Sequence, residues 1–265
     1  MAEKINLIPG LNDYLVDIDE LKIHFLCDYN PSSNEVILFI HGLACSLDSY
    51  RNLFDKDYFP GKSFLLVDLI GFGKSSKHQS FSYTMEDQAA IIEKLFSLLP
   101  EWNINIAAHS MGGALALLFS DDFYRRVKSF TNIEGNLISE DCGIFSRGVA
   151  NLTFDEYRNK LFKTQMIEFK EHPQLRFAET TPVAVHKSAV SLVEWSDSGE
   201  LLNIFNSLTC KKCYIYGEEN KNTPIINRLD LIDKYVISSS GHGMMTENPE
   251  EFYSTLAEFI LRVKE

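Results

Sequence analysis

Four short, continuous apolar runs alternate with stretches of helical periodicity, and that alternation leaves few architectures open. The runs are Val36–Ile40, Ser63–Val67, Asn103–Ala108 and Lys128–Ile133. A run of this length without polar alternation suits a strand covered on both faces, as in a parallel sheet. Between them, Ile91, Ile92, Leu95, Phe96, Leu98 and Leu99 recur at helical spacing behind a Thr84 cap, with Asp87 three residues after it. Met111 to Ser120 reads as a second helix. Strands alternating with helices predict βαβ units and a mostly parallel sheet of the α/β class. Ahead of them, Tyr14–Ile18 and Leu21–Cys27 alternate apolar and polar residues about Asp19-Glu20, the pattern of a hairpin.

The alternation stops near Ile138 and returns only after Glu200. In between, Phe154, Tyr157, Leu161, Met166 and Phe169 mark one helix. Thr181 before Pro182 caps another, running to about Trp195. Strand patterns resume at Cys213–Tyr216 and Lys234–Ile237, and a last helix is expected from about Pro249 to Val263. The reading is a core of residues 1–137 and 201–265 that carries a helical cap at 138–200, an insertion long enough to have its own fold.

Composition removes several functions. Of 265 residues, 25 are Lys or Arg and 37 are Asp or Glu, a net charge of −12. Neutralising phosphates needs a basic face, and none is visible, so nucleic acid is not an expected partner. No apolar run reaches the roughly 18 residues that span a bilayer. Met1 to Gly10 has no basic segment followed by an apolar core, so no secretion signal is read. Five cysteines are an odd number for a disulfide framework, and a reduced, cytoplasmic protein is the simpler expectation.

The sharpest local signal is Ala108-His109-Ser110-Met111-Gly112-Gly113, between a buried strand and a helix. A nucleophile on such a turn is held in a strained backbone and lifted above the sheet edge. The turn closes only if the residues two before and two after are small, here Ala108 and Gly112. The alternative is a serine at an ordinary βα turn. Ser240-Gly241-His242-Gly243 follows the last predicted strand. A histidine on that loop can reach over the sheet edge to take the Ser110 proton.

Together these motifs resemble the α/β-hydrolase fold superfamily, in its capped esterase, lipase and C–C hydrolase branch. The resemblance covers essentially the whole chain and includes His41-Gly42 and Asp68-Leu69-Ile70-Gly71-Phe72-Gly73-Lys74-Ser75. It implies an oxyanion hole from the backbone N–H groups of Leu43 and Met111, and a purely structural Asp68. The acid is less direct. Most relatives carry an Asp in a Gly-x-x-Asp arrangement after the strand that follows the cap, where this chain has Gly217-Glu218-Glu219-Asn220. Asparagine cannot neutralise an imidazolium. Glu134 ends the buried run 128–133, which resembles the haloalkane dehalogenase and luciferase branch and preserves the order nucleophile, acid, histidine. A carboxylate ending a buried strand needs a partner. Glu134 is the first choice for the acid; Glu218 and Glu219 remain open.

Other signals are set aside. Gly73-Lys74-Ser75 resembles the end of a P-loop, but Asp68 stands where that motif needs glycine. Cys210-Lys211-Lys212-Cys213 opens a strand rather than a helix and lacks further ligands, so it reads as ordinary thiols. Cys45 lies close to the oxyanion loop, where packing explains it. His24, His78, His172 and His186 are scattered, and His109 reads as support for the turn. Phe145, Phe154, Phe162, Phe169 and Phe177 are mostly packing, with some facing a pocket.

The expected function is hydrolysis of a carboxylic ester or thioester through an acyl-enzyme on Ser110, with no metal or organic cofactor. The expected partner is a small acyl substrate with a hydrophobic moiety. Serine at the nucleophile argues against dehalogenase or epoxide hydrolase chemistry, because those relatives use Asp there. C–C bond hydrolysis, acyl transfer, proline iminopeptidase activity and a slow-turnover receptor on the same site stay open, as does a homodimer.

Overall fold

The computed structural model describes residues 4–172 and 174–262. The expected helix end at Val263 and the first three residues of the N-terminal stretch lie outside them. One sheet of eight strands organises the molecule: β1 (Gly10–Ile18), β2 (Leu21–Tyr29), β3 (Glu35–Ile40), β4 (Ser63–Val67), β5 (Asn103–His109), β6 (Val127–Ile133), β7 (Lys211–Gly217) and β8 (Asp233–Ile237). Their spatial order is β1-β2-β4-β3-β5-β6-β7-β8. β1 and β2 pair antiparallel, β2 meets β4 antiparallel, and every later pair is parallel.

The hairpin turns on Asp19 and Glu20, with φ of 49° and 68°. A two-residue turn with both residues left-handed matches the twist of the strands it joins. β3 shows why a continuous apolar run forms here. Val36, Leu38 and Ile40 enter the core on one face, while Ile37 and Phe39 enter a second core on the other. The first core holds the helix Met85–Leu98; the second holds Leu47, Tyr50 and Leu53 and the helix Pro249–Leu261. Thr84 caps Met85–Leu98 by accepting from Asp87 N, so its first turn begins where the sequence places it.

The helix after β5 is shorter than expected, Met111–Ala116 rather than Met111 to Ser120. Its end tightens into Leu118 N to Leu115 O and Phe119 N to Ala116 O bonds. Tyr124 Oη also donates to the Ala116 carbonyl, and Ser120 caps a new helical turn at Asp121–Tyr124.

Between β6 and β7 the described residues form helices and no strand. Gly143–Ala150, Phe162–Glu168 and Pro182–Ser198 are the main pieces. A π turn at Tyr157–Leu161 joins Phe154–Glu156 to Phe162–Glu168. The buried side of this run is Tyr157, Phe162 and Gln165, whereas Met166, expected on it, is exposed. Thr181 caps Pro182–Ser198 through Ala184 N. Every parallel strand ends at one edge of the sheet. That edge is where side chains carried by loops can converge.

Candidate active site

β5 delivers Ser110 to this edge in a strained conformation, φ 53° and ψ −123°. Strain of this kind costs about 1–3 kcal/mol and persists only when the surroundings enforce it. Here they do. Ser110 N donates to Ile133 O at 3.0 Å, extending the β5–β6 ladder past the strands. A Cβ on Gly112 would lie 2.7 Å from the carbonyl oxygens of Ile40 and His41. A Cβ on Gly42 would lie 3.0 Å from Ser110 Cβ. The small residues are therefore what allow the loop after β3 and the elbow helix to close on the serine.

β6 delivers Glu134, also at positive φ, 42°. Its N–H donates to Ile215 O, which locks the residue to β7. The carboxylate accepts four hydrogen bonds' worth of contacts. Gly217 N reaches Oε1 at 2.8 Å, and Asn220 Nδ2 spans both oxygens at 3.0 and 2.9 Å. His242 Nδ1 lies 2.6 Å from Oε2. A carboxylate can only accept, so Nδ1 carries the proton and Nε2 is left with its lone pair. Glu134 is 8% exposed and His242 53% exposed, so the carboxylate is enclosed while the imidazole faces open space. Glu218 accepts from Ser239 N and holds the histidine loop from outside. Neither Glu218 nor Glu219 bonds the His242 ring among the described residues.

The histidine loop is held tightly. Gly241 N donates to Glu247 Oε2 at 2.6 Å, and Ser240 Oγ to Ile237 O at 2.9 Å. A Cβ on Gly217 would sit 2.2 Å from Gly241 O, so only glycine lets this loop descend onto β7. His109 Nε2 donates to His242 O at 2.9 Å, with the two rings 4.5 Å apart. Burial, with the neighbouring His242, holds the His109 pKa well below the usual imidazole range, so it is a neutral strut.

Leu43 and Met111 flank Ser110, and their N–H groups donate to no protein group among the described residues. His41 fixes the Leu43 loop from below. Its Nδ1–H donates to Gly42 O, and its Nε2 accepts from Leu69 N. Burial lowers its pKa, which keeps it neutral for both roles. Asp68 accepts from Leu47 N, Lys74 N and His24, and a Cβ on Gly73 would strike its carboxylate. That knot gives the Gly73-Lys74-Ser75 segment a structural use.

Ser110, Glu134 and His242 share the wall of one cavity of about 530 Å3. No hydrogen bond joins Ser110 Oγ to His242 among the described residues. The insertion contributes Glu140 to Gly143, Phe145, Ser146, Phe169, His172, Gln174 and Leu175 to the same wall. Of the five phenylalanines singled out in the sequence, Phe145 and Phe169 line it. Phe162 and Phe177 pack edge-on within the insertion. A larger cavity of about 950 Å3 between Lys77–Thr84 and the helix Pro182–Ser198 holds none of the three. Convergent polar groups, rather than volume, make the smaller cavity the candidate site. All five cysteines are free, and burial pushes the Cys45 thiol up to about 12.

Sequence reasoning missed three contributors. Asn220 lies in the segment where the acid is usual, and its amide instead binds Glu134. Gly135 lets the chain turn beneath the elbow; its Cβ would be 2.8 Å from Gly113 Cα. Gln174 ties the insertion to the histidine loop through Thr246 Oγ1 at 3.1 Å. Of these, Asn220 stood out in the usual acid slot without its Glu134 contact being readable, Gly135 is marked only by following Glu134, and Gln174 left no trace in the sequence.

Comparison with known proteins accords with this architecture. Residues 35–188, more than half of the chain, match the family model of the alpha/beta hydrolase fold. Lipase 3 of Moraxella sp. (strain TA144) is 28% identical over 118 residues, 44% of this chain and 35% of that protein. The chain thus spans about a third of that lipase's length. A 2-hydroxy-6-oxo-6-(2'-aminophenyl)hexa-2,4-dienoic acid hydrolase of Metapseudomonas resinovorans is 23% identical over 85% of this chain and 84% of its own. In structure, a haloalkane dehalogenase from Agrobacterium tumefaciens C58 superposes with a TM-score of 0.71 at 19% identity, covering 96% of this chain and 98% of its own. By its fold and by that matched span, the chain belongs to the alpha/beta hydrolase fold family.

Proposed function

We propose that the protein is a serine hydrolase of carboxylic esters or thioesters, with Ser110 as nucleophile, His242 as general base and then acid, and Glu134 as the acid of the triad. His242 Nε2 takes the Ser110 proton as Oγ attacks the acyl carbonyl. Glu134 stabilises the imidazolium through the Nδ1 bond. The N–H groups of Leu43 and Met111 receive the oxyanion. His242 returns the proton to the leaving group, and water then resolves the acyl-enzyme by the reverse roles. Residues 138–200 act as the cap that shields these steps from bulk water.

The observation that supports this most is the 2.6 Å His242–Glu134 contact on the wall of the cavity that also holds Ser110. The lining favours an uncharged substrate: Glu140, Asp141 and Glu247 face the cavity, and no lysine or arginine lines it among the described residues. A substrate with a carboxylate near the reacting bond, as the dienoic acid in the Metapseudomonas relative's name implies, finds no cation there. Serine at the nucleophile disfavours the alkyl-ester chemistry of dehalogenases.

A graded series of p-nitrophenyl esters and acyl-CoA substrates tests the reading. Turnover that declines beyond a limiting acyl length, and that is abolished in Ser110→Ala, is expected. Equal turnover by wild type and Ser110→Ala would remove the proposal.

A further inference from the structure

His172, one of the scattered histidines of the sequence, lies in the insertion on the wall of the Ser110 cavity. Its surroundings dictate its tautomer. Nδ1 accepts from two backbone N–H groups, Gln174 N and Leu175 N, each at 3.1 Å. A nitrogen that accepts two donors carries no proton, so in the neutral ring the proton is on Nε2. The backbone of His172 is also engaged: its N–H donates to Phe169 O, and its carbonyl accepts from Arg176 Nη1 at 2.9 Å. Nε2–H is the one hydrogen-bonding group of the residue without a protein partner among the described residues. Burial, with the Arg176 guanidinium nearby, lowers its pKa, so the ring presents a neutral donor rather than a cation.

The segment that carries His172 is fastened at both ends of the reacting centre. Arg176 N donates to Ala44 O of the oxyanion loop at 2.7 Å. Gln174 Nε2 donates to Thr246 Oγ1 just beyond the His242 loop. A donor held this way needs no reorganisation when substrate enters. Phe169 packs edge-on against the ring at 5.8 Å and limits its rotation.

Resting on the assignment of Ser110 and His242 as the reacting pair, we infer that His172 Nε2–H is a specificity donor to the substrate. The site then takes uncharged esters whose acyl or alcohol chain carries a second acceptor oxygen, an ether or carbonyl, beyond the scissile group. The acidic wall of the cavity selects against a carboxylate in the same position, and the lone N–H selects for a neutral acceptor. An all-carbon chain leaves that N–H desolvated and unpaired, which is how a polar site rejects the analogue lacking its partner.

Asparagine separates the two roles of this side chain. In His172→Asn the Oδ1 atom stands near Nδ1 and can still accept from Gln174 N and Leu175 N, but no donor reaches the Nε2 position. The experiment measures kcat/KM for p-nitrophenyl hexanoate and its isosteres with an ether oxygen at the third, fourth or fifth chain atom. Wild type, His172→Asn and His172→Gln are compared, with fluorophosphonate labelling of Ser110 as the parallel readout. The ratio of the best ether ester to hexanoate is expected to fall by about five- to tenfold in His172→Asn, the scale of one neutral hydrogen bond, as the ether ester loses its donor and hexanoate no longer leaves an N–H unpaired. Partial recovery is expected in His172→Gln, whose amide N–H reaches further. A ratio unchanged in His172→Asn overturns the inference and leaves the hydrolase reading standing. No turnover of any ester overturns the inference too, and Ser110 labelling then decides whether the hydrolase reading falls with it.

Discussion

Asn220 stands where many relatives have a carboxylate, yet its amide spends both contacts on Glu134. That exchange pairs a carboxylate after β6 with an amide after β7. It also sets two expectations. Glu134→Gln should lower kcat by about 10³- to 10⁴-fold with the fold intact, because the amide cannot stabilise the His242 imidazolium; near-wild-type turnover would return the acid role to the 218–219 pair. Asn220→Asp, which recreates the commoner sequence, should impair turnover rather than improve it, since it sets a second negative charge about 3 Å from Glu134; steady-state kinetics across pH checks this. A third expectation concerns Asp141. Burial raises its pKa to about 6, despite the bonds it accepts from Leu137 N and Ile138 N. A carboxyl raised in the folded state binds more protons there than in the unfolded chain between its ordinary value and about 6. Stability should therefore fall as pH rises through that window, by up to about 3 kcal/mol from this group. Asp141→Asn keeps the acceptor and should flatten the slope, with chemical denaturation at pH 4 and pH 7 as the measurement. At this scale the sequence yields the residue types at Ser110, Glu134 and His242. It does not reveal the Asn220 contact or the His172 tautomer, because both depend on backbone N–H groups and amides brought together from distant segments.

Elements were legible where burial alone dictates them. β3 to β6 are apolar on both faces, so their runs stand out, and the Thr84 and Thr181 caps fix two helix starts. The misjudged boundaries share one cause: hydrogen bonds outside the local pattern. The elbow helix ends at Ala116, whose carbonyl accepts from both Phe119 N and Tyr124 Oη, and the Phe154–Glu168 run contains a π turn that no apolar spacing announces. Two glycines test the packing of elements in opposite directions. In Gly135→Ala the new methyl meets Asn132 Oδ1 at 2.5 Å and Gly113 Cα at 2.8 Å, both beneath the elbow. It should destabilise by about 1–3 kcal/mol and depress turnover as well. Gly148 lies within the helix Gly143–Ala150 with nothing within 4 Å of a Cβ. Gly148→Ala should add about 0.5–1 kcal/mol, because only helix propensity changes. Urea unfolding of both variants reads these signs; destabilisation by both would contradict the packing described for this helix.

On the scale of the whole molecule, the fold gathers residues more than a hundred positions apart at one sheet edge. The insertion lines the cavity at that edge, while Ser110, Glu134 and His242 all come from outside it. The segment around Gln174 and Arg176 straps it to the loop after β3 at Ala44 and to Thr246 just beyond the histidine loop, so the position of the insertion and the geometry of the candidate site are coupled through few bonds. The central claim is that Ser110 is a nucleophile activated by His242. Its most direct test is the rate of covalent labelling by a fluorophosphonate, located by peptide mass spectrometry, in wild type, Ser110→Ala and His242→Ala. The account predicts rapid modification at Ser110, none in Ser110→Ala, and labelling slowed by at least about 10³-fold in His242→Ala. Equal labelling rates in wild type and His242→Ala, or modification mapped to another residue, would contradict it.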